Sequence, residues 1–161
     1  MMKYFILWVS FIVFLLFNGC AVKEYVISEP KIITFKMEKL RFNDMGYIRQ
    51  NGDAIQVELF SAGQAVERFE INHLVCMREG CMSKSGFNSD YLNAAYPDEL
   101  LQNVLLGRKI FDGRNLAENA NGFEQQLENE AYTIIYRVNM DETYFKDRKN
   151  GILLRIRNVK K

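Results

Sequence analysis

Residues 46–63 read GYIRQNGDAIQVELFSAG, and this stretch decides the fold class. Asn51-Gly52 is the dipeptide most typical of a tight β-hairpin turn, because both residues tolerate the positive φ angles that such a turn requires. Apolar and polar residues then alternate from Ile55 to Leu59, which is the pattern of a strand with one buried face. Gly63 marks a second reversal. The stretch therefore predicts consecutive antiparallel strands with a shared apolar face.

Strand patterns also lie on both sides of this stretch. Residues 32–37 are rich in β-branched and aromatic residues, and residues 65–72 return from the second turn. Near the C-terminus, residues 132–138 and 152–159 alternate again, separated by a sharp turn at Asn150-Gly151. We expect an antiparallel sheet of about six to eight strands.

The middle of the chain has a different composition. Residues 77–95 are rich in Ser, Asn and Gly and predict a loop. Pro97 then begins a helix whose apolar stripe ends at Gly107. Residues 112–130 are mostly polar and predict a long irregular segment, which is typical of a lid or a mobile loop. The expected fold class is therefore mainly β, with a curved antiparallel sheet or incomplete β-barrel and a helical lid.

The N-terminus carries a targeting signal. Lys3 precedes an apolar run from Phe5 to Phe17, which is shorter than the roughly 20 residues that a membrane span needs. Gly19, a small residue, then precedes Cys20. This order resembles a bacterial lipoprotein signal. The resemblance implies that Cys20 is acylated after cleavage and attaches the mature protein to a membrane.

This signal sets the expected domain organisation. Residues 1–19 form the signal peptide, residues 20–30 a lipidated tether, and residues 31–161 a single β-rich domain. The whole chain has 21 basic and 20 acidic residues, so its charges nearly balance. A chain with balanced charges gives no electrostatic reason to expect a nucleic-acid partner.

Two further cysteines need an assignment once Cys20 is acylated. Outside the cytosol, Cys76 and Cys81 are expected to form a disulfide that fixes the loop between them. The alternative is a metal site that includes His73, the single histidine of the chain. That site would need a fourth ligand and reduced thiols. We therefore favour the disulfide and expect no metal.

Catalytic motifs are absent from the sequence. It contains no nucleophile elbow, no zinc-binding helix motif and no glycine-rich phosphate loop. The acidic residues lie in polar stretches, where solvated carboxylates are the ordinary explanation. We expect neither enzymatic activity nor a cofactor.

Three stretches resemble the LolA/LolB family of bacterial lipoprotein-localisation factors. Residues 46–63 are similar to that family's early hairpin, residues 96–107 to its helix that starts with Pro and ends in Leu-Gly, and residues 132–138 with 151–159 to its closing strands. The resemblance implies a half-open barrel that shelters acyl chains in a hydrophobic cavity, without covalent chemistry.

The resemblance also implies a function and a site. The chain would be an outer-membrane lipoprotein on the periplasmic face, held by Cys20, that binds acyl chains or lipoproteins and receives them from a periplasmic carrier protein. Ala21 favours the outer membrane, since Asp after the cysteine retains some lipoproteins at the inner one. The expected cavity lining comprises Val57, Leu59, Phe69, Leu101, Leu105, Ile134 and Tyr136.

A second function stays open at this point. The chain would then be a structural or assembly lipoprotein of the cell envelope with a filled core, acting through protein–protein contacts. The interior distinguishes the two functions, because a ligand cavity favours acyl binding and tight packing favours the assembly role.

Overall fold

A computed structural model describes residues 27–159 of the chain. These residues form one open antiparallel sheet of eleven strands and two short α-helices. The expected mainly β class is therefore confirmed. The signal peptide, Cys20 and residues 21–26 lie outside the described residues.

The strands follow one another along the chain with one helical insertion. In order they are β1 (Ile27–Lys36), β2 (Arg41–Asn51), β3 (Ala54–Ser61), β4 (Gln64–Ile71), β5 (Leu74–Met77), β6 (Gly80–Ser83), β7 (Leu116–Asn119), β8 (Gly122–Glu128), β9 (Thr133–Asn139), β10 (Glu142–Asp147) and β11 (Ile152–Asn158). Between β6 and β7 lie the helices α1 (Lys84–Tyr91) and α2 (Leu100–Leu105), followed by a 3-10 turn at Phe111–Gly113.

The sheet consists of two meanders joined at its centre. Strand β1 pairs with β2 on one side and with β11 on the other, so the spatial order is β6-β5-β4-β3-β2-β1-β11-β10-β9-β8-β7. The edge strands β6 and β7 do not pair with each other, so the sheet does not close. The helical insertion connects one edge to the other and packs against one face of the sheet, where Phe87 of α1 meets Phe69 edge-on.

The core lies between this covered face and the helices. Alternating residues of β3, namely Ile55, Val57 and Leu59, are at most 1% exposed, as the period-two pattern predicted. The opposite face of the same strand is polar, and Glu58 on that face pairs with Arg49 of β2. Burial of one apolar face against the helices is therefore the main force that holds the sheet to its insertion.

The predicted reversals are confirmed. Asn51-Gly52 joins β2 to β3 and Asn150-Gly151 joins β10 to β11, and both glycines have positive φ angles, +58° and +68°. These left-handed conformations suit glycine, which has no Cβ to clash with the backbone.

Two segments that were expected to be irregular contain regular structure. Residues 77–95 include β6 and α1, and Ser83 caps α1 by accepting a hydrogen bond from the Gly86 amide at 3.0 Å. The aromatic rings of Phe87 and Tyr91, one helical turn apart, stack at 4.6 Å on the buried side. The prediction of a loop was wrong. Most residues of α1 are polar, and Phe87 and Tyr91 are its only large apolar side chains.

Residues 112–130 form β7 and β8 instead of a long loop. Apolar and polar residues do not alternate clearly along β8, because Gln125, a polar residue, occupies a fully buried position there. Its side-chain amide bonds to the backbone of Ile110 and Arg114 at 2.7 to 2.9 Å, which satisfies its donors and acceptor. The sheet has eleven strands rather than six to eight because this pair and the short strands β5 and β6 were missed.

The boundaries of two other elements also differ from expectation. Helix α2 spans only Leu100–Leu105, because residues 97–99 form a turn before it. Strand β1 begins at Ile27, inside the segment that was assigned to the tether. Pro30 fits there because β11 begins to pair with β1 only at Lys31, so the missing amide of Pro30 is not needed on that side.

Cys76 and Cys81 form the expected disulfide. They face each other across β5 and β6, in a hairpin at one edge of the sheet, with an S–S distance of 2.05 Å. The bond fixes the short hairpin whose turn contains Arg78, and the Arg78 guanidinium donates to the Val66 carbonyl of β4 at 3.2 Å. The disulfide thus helps to hold the Arg78 side chain against the exposed edge of β4.

Replacing both cysteines with alanine is expected to lower the free energy of unfolding by about 2 kcal/mol, since the bond closes a very short loop. Urea denaturation of the double variant and of the oxidised wild type measures this difference. A reductant should reproduce the loss in the wild type and leave the variant unchanged. Equal urea midpoints for the double variant and the wild type, both without reductant, would contradict a stabilising disulfide between Cys76 and Cys81.

Candidate ligand-binding site

A cavity of about 460 Å³ lies where the C-terminal end of α2 meets one end of the sheet. This volume falls within the range of small-molecule sites in proteins. We call this end of the sheet the mouth end, and the cavity the mouth cavity. Its wall is formed by Glu29, Lys31, Ile48, Gln50, Leu105, Leu106, Gly107, Val138, Asn139, Met140, Asp141, Glu142, Thr143, Ile156 and Asn158.

The apolar part of this wall belongs to the hydrophobic core. Ile48, Leu105 and Ile156 are 6 to 9% exposed and are members of the core cluster, while Leu106 and Val138 are half-buried and pack against it. These five side chains come from β2, α2, β9 and β11 and the residue after α2. The floor of the mouth cavity is therefore an extension of the core that reaches toward solvent.

Of the charged residues on the cavity wall, Glu29, Lys31 and Glu142 are in ion pairs, whereas Asp141 is exposed in the β9–β10 turn. The Lys31 ammonium bonds to the Glu29 carboxylate and to the Asn158 side-chain oxygen, the latter at 2.7 Å. Glu142 accepts two hydrogen bonds from Arg155 at 2.6 and 2.7 Å. The wall therefore combines apolar residues of the core with polar and charged residues, which suits a ligand that has an apolar part and a polar part.

Helix α2 is held over the sheet by polar contacts at its margins. Gln102 donates to the Asp53 carbonyl and accepts from the Lys84 ammonium, both at 2.5 Å. Arg108 forms an ion pair with the Asp53 carboxylate at 2.7 Å. The helix is thereby tied to the β2–β3 turn, which borders the mouth cavity through Gln50.

Tyr136 supports the segment that follows α2. Its hydroxyl donates to the Arg108 carbonyl at 2.8 Å, and burial raises the pKa of the phenol above its ordinary value. A neutral hydroxyl is the form that donates this bond. The role of Tyr136 in this structure is to fix the exit of α2, and its ring lies beneath that segment.

The structure places the predicted lining residues in the core. All seven are at most 7% exposed, and Leu105 alone also lies on the wall of the mouth cavity; the others are Val57, Leu59, Phe69, Leu101, Ile134 and Tyr136. Aromatic contacts fill the interior around them: Phe69 meets Phe35 and Phe87 edge-on, and Tyr136 meets Phe123. The seven residues share the covered face of the sheet and the helices, but they pack against one another.

The sequence did not indicate most of the wall that the structure reveals. Ile48, Val138 and Ile156 lie near the mouth-end limits of their strands, where the helices no longer cover the sheet. Their alternation with polar neighbours placed them on the apolar face. No local pattern shows that they border a cavity, and the same holds for Leu106, the residue directly after α2.

A second, smaller cavity of about 190 Å³ borders the disulfide hairpin. It is lined by Ala54, Ile55, Glu70, Ile71, Asn72, His73, Leu74 and Cys76. Within residues 27–159, no cluster of three or more potential metal ligands occurs, and His73 is exposed. The alternative metal site with His73 loses its thiols to the disulfide, since disulfide sulfurs are not thiolate ligands.

Neither helix of the described part of the chain is long and apolar enough to cross a membrane. The expected acylation at Cys20 concerns a residue outside that part.

The chain matches no family model, and no curated protein or solved structure shows significant similarity to it. The resemblance to the LolA/LolB family therefore stays a prediction that rests on the three sequence stretches.

Proposed function

We propose that this protein is an envelope lipoprotein, anchored through Cys20 to the outer membrane on its periplasmic side, that binds the acyl chains of lipids or of other lipoproteins. The observation that carries the proposal is the mouth cavity, whose floor includes apolar residues of the core while polar and charged side chains line its rim. An acyl chain would enter the apolar part, and its polar head group would remain at the rim.

The energetics favour an apolar chain in such a site. Each methylene removed from water contributes about 0.8 kcal/mol, so a few buried methylenes offset the cost of ordering a flexible chain. A chain longer than the cavity must displace side chains of α2, starting with Leu105, which lies on both the wall and the core. Leu101, one turn deeper, would be the next to move.

This route gives the seven buried candidates a role. Val57, Leu59 and Phe69 on the sheet would contact the ligand only after α2 has shifted, because α2 and α1 now cover them. Two polar contacts tie α2 and the segment after it to Asp53, and one of them, the Arg108 ion pair, joins two exposed side chains. We expect α2 to be the element that yields when a long chain enters.

Replacing Leu106 with arginine is expected to weaken acyl binding about tenfold or more, because a charge on the cavity wall must be desolvated by the ligand. Leu106 is half-buried, so the long side chain can keep its charged group in water in the free protein. Fluorescence anisotropy of a labelled triacylated lipopeptide measures the dissociation constant.

Met45→Arg is the matched control. Met45 is 42% exposed on β2 and is not part of the cavity wall, so the same charge there should leave the affinity unchanged. Equal affinities of the Leu106→Arg variant and the wild type would contradict binding in the mouth cavity. Circular dichroism and thermal melts of both variants show whether the fold is retained.

The filled interior supports a second candidate function. The core between the sheet and the helices is closed by aromatic side chains, and the seven candidates are buried. A protein of this kind can serve as an anchored assembly factor that acts through its surface. This function predicts that neither acylated nor unacylated peptides bind.

A further inference from the structure

Among the large apolar side chains that line a cavity within residues 27–159, Met140 is the most exposed. It is 77% exposed at the tip of the β9–β10 turn, and it contributes to the rim of the mouth cavity. A single exposed apolar side chain is ordinary on a protein surface, so the position of Met140 gains meaning only from where the membrane anchor of the chain lies.

A second exposed apolar residue lies beside it. The Asn158 side chain donates to the Met140 carbonyl at 2.8 Å, and the Asn158 amide donates to the Asp141 carbonyl at 3.1 Å. Val159, 38% exposed, follows directly. These bonds fix the C-terminal end of β11 against the β9–β10 turn, so Val159 follows a residue that is bonded to the backbone of Met140.

The N-terminal segment leaves the domain at the same mouth end. Ile27 pairs with Gln50, and both Gln50 and Glu29 belong to the cavity wall. Cys20 and the six residues 21–26 precede β1. Fully extended, they span at most about 25 Å. An acyl anchor on Cys20 therefore keeps the mouth end within that distance of the bilayer.

We propose that Met140, at the rim of the mouth cavity, contacts the bilayer that holds Cys20, so that the mouth cavity faces the membrane. The inference rests on the proposed lipid anchor but not on acyl binding in the cavity. Charge does not drive the contact, because the rim carries Asp141 and Glu142 as well as Lys31. The contact should therefore form on neutral phosphatidylcholine and persist at high salt.

A single introduced tryptophan tests this orientation. The chain has one tryptophan, Trp8, and Trp8→Phe in every sample leaves only the introduced residue, whether or not the signal is cleaved. Met140→Trp places the probe at the rim. Val66→Trp is the control, since Val66 is similarly apolar and 41% exposed but lies on β4 just after the β3–β4 turn. That turn is at the far end of β3 from the mouth.

Both variants are prepared as the acylated full-length product and reconstituted in phosphatidylcholine vesicles, with and without brominated acyl chains. We expect the emission of Met140→Trp to shift to shorter wavelength and to be quenched by brominated lipid, while Val66→Trp stays at the solvent-exposed wavelength and is not quenched. Solvent-like emission from both probes, or quenching of both, would overturn the orientation.

The failure of this proposal and the failure of the proposed function are distinguishable. Flotation of the vesicles with the protein reports the anchor, the tryptophan pair reports the orientation, and lipopeptide affinity reports the cavity. If the protein floats while Met140→Trp stays solvent-exposed, the orientation is wrong although the anchor holds.

Discussion

Replacing Asp147 with alanine is expected to lower the free energy of unfolding by about 3–5 kcal/mol. The Asp147 side chain is fully buried at the end of β10. Its carboxylate accepts hydrogen bonds from the Tyr96 hydroxyl, from the amides of Thr133 and Lys149, and from the backbone and side chain of Asn150, at 2.5 to 3.3 Å. Alanine would leave the buried Tyr96 hydroxyl and the amide of the half-buried Thr133 without an acceptor.

Asp141→Ala is the control for this variant. Asp141 is an exposed aspartate in the β9–β10 turn, whereas Asp147 lies at the other end of β10, before the β10–β11 turn. Its loss should change stability by no more than about 0.5 kcal/mol, as for most surface substitutions. Urea denaturation at neutral pH measures both. A small loss for Asp147→Ala would show that the hydrogen-bond network contributes little.

The same group predicts a dependence on pH. Burial alone would raise the pKa of Asp147, but the hydrogen bonds from Tyr96, Asn150 and the Thr133 amide together hold it below its ordinary value. A depressed pKa in the folded state means that the stabilisation is complete above the unfolded pKa and is lost as the pH falls through the folded pKa. The stability difference between wild type and Asp147→Asn should therefore be constant from about pH 7 to 5 and shrink below about pH 4.

Gly122→Ala is the second substitution with a large expected effect, about 3–5 kcal/mol. A Cβ on Gly122 would lie 1.9 Å from the carbonyl oxygen of Val138 and 2.9 Å from its carbonyl carbon. Both atoms belong to the backbone of the paired strand β9, which cannot rotate away as a side chain would. The φ angle of +153° adds strain.

Gly63→Ala separates the clash from the backbone strain. Gly63 in the β3–β4 turn also has a positive φ, +79°, but a Cβ there would meet no atom within 4 Å. Its loss should be about 1 kcal/mol, the cost of a left-handed alanine. Thermal melts of both variants give the comparison, and equal losses would mean that the β8–β9 pair relaxes around the added methyl group.

The strands that could be predicted are those with an apolar face. Ile55, Val57 and Leu59 alternate strictly with polar residues, and their burial follows directly from the pleat of the strand. Strand β8 could not be predicted in this way, since Gln125 takes a core position that its hydrogen bonds to Ile110 make favourable. Those bonds join residues 15 positions apart, which no local pattern encodes.

The candidate site was predicted less completely than the fold. Leu105 was identified because it lies on the apolar stripe of a helix. Other wall residues come together only through long-range pairing: Lys31 on β1 meets Asn158 on β11, 127 residues away. Only this pairing places β1 beside the β9–β10 turn, so Met140 had no signal in the sequence.

Native mass spectrometry tests acyl binding by the mouth cavity. The chain from Ala21 onward is mixed with a triacylated lipopeptide and, separately, with the same peptide without acyl chains. We expect the acylated peptide alone to be retained, at one molecule per chain, because the apolar floor of the mouth cavity binds the acyl chains and not the peptide. Retention of neither peptide, or of both equally, would contradict acyl binding.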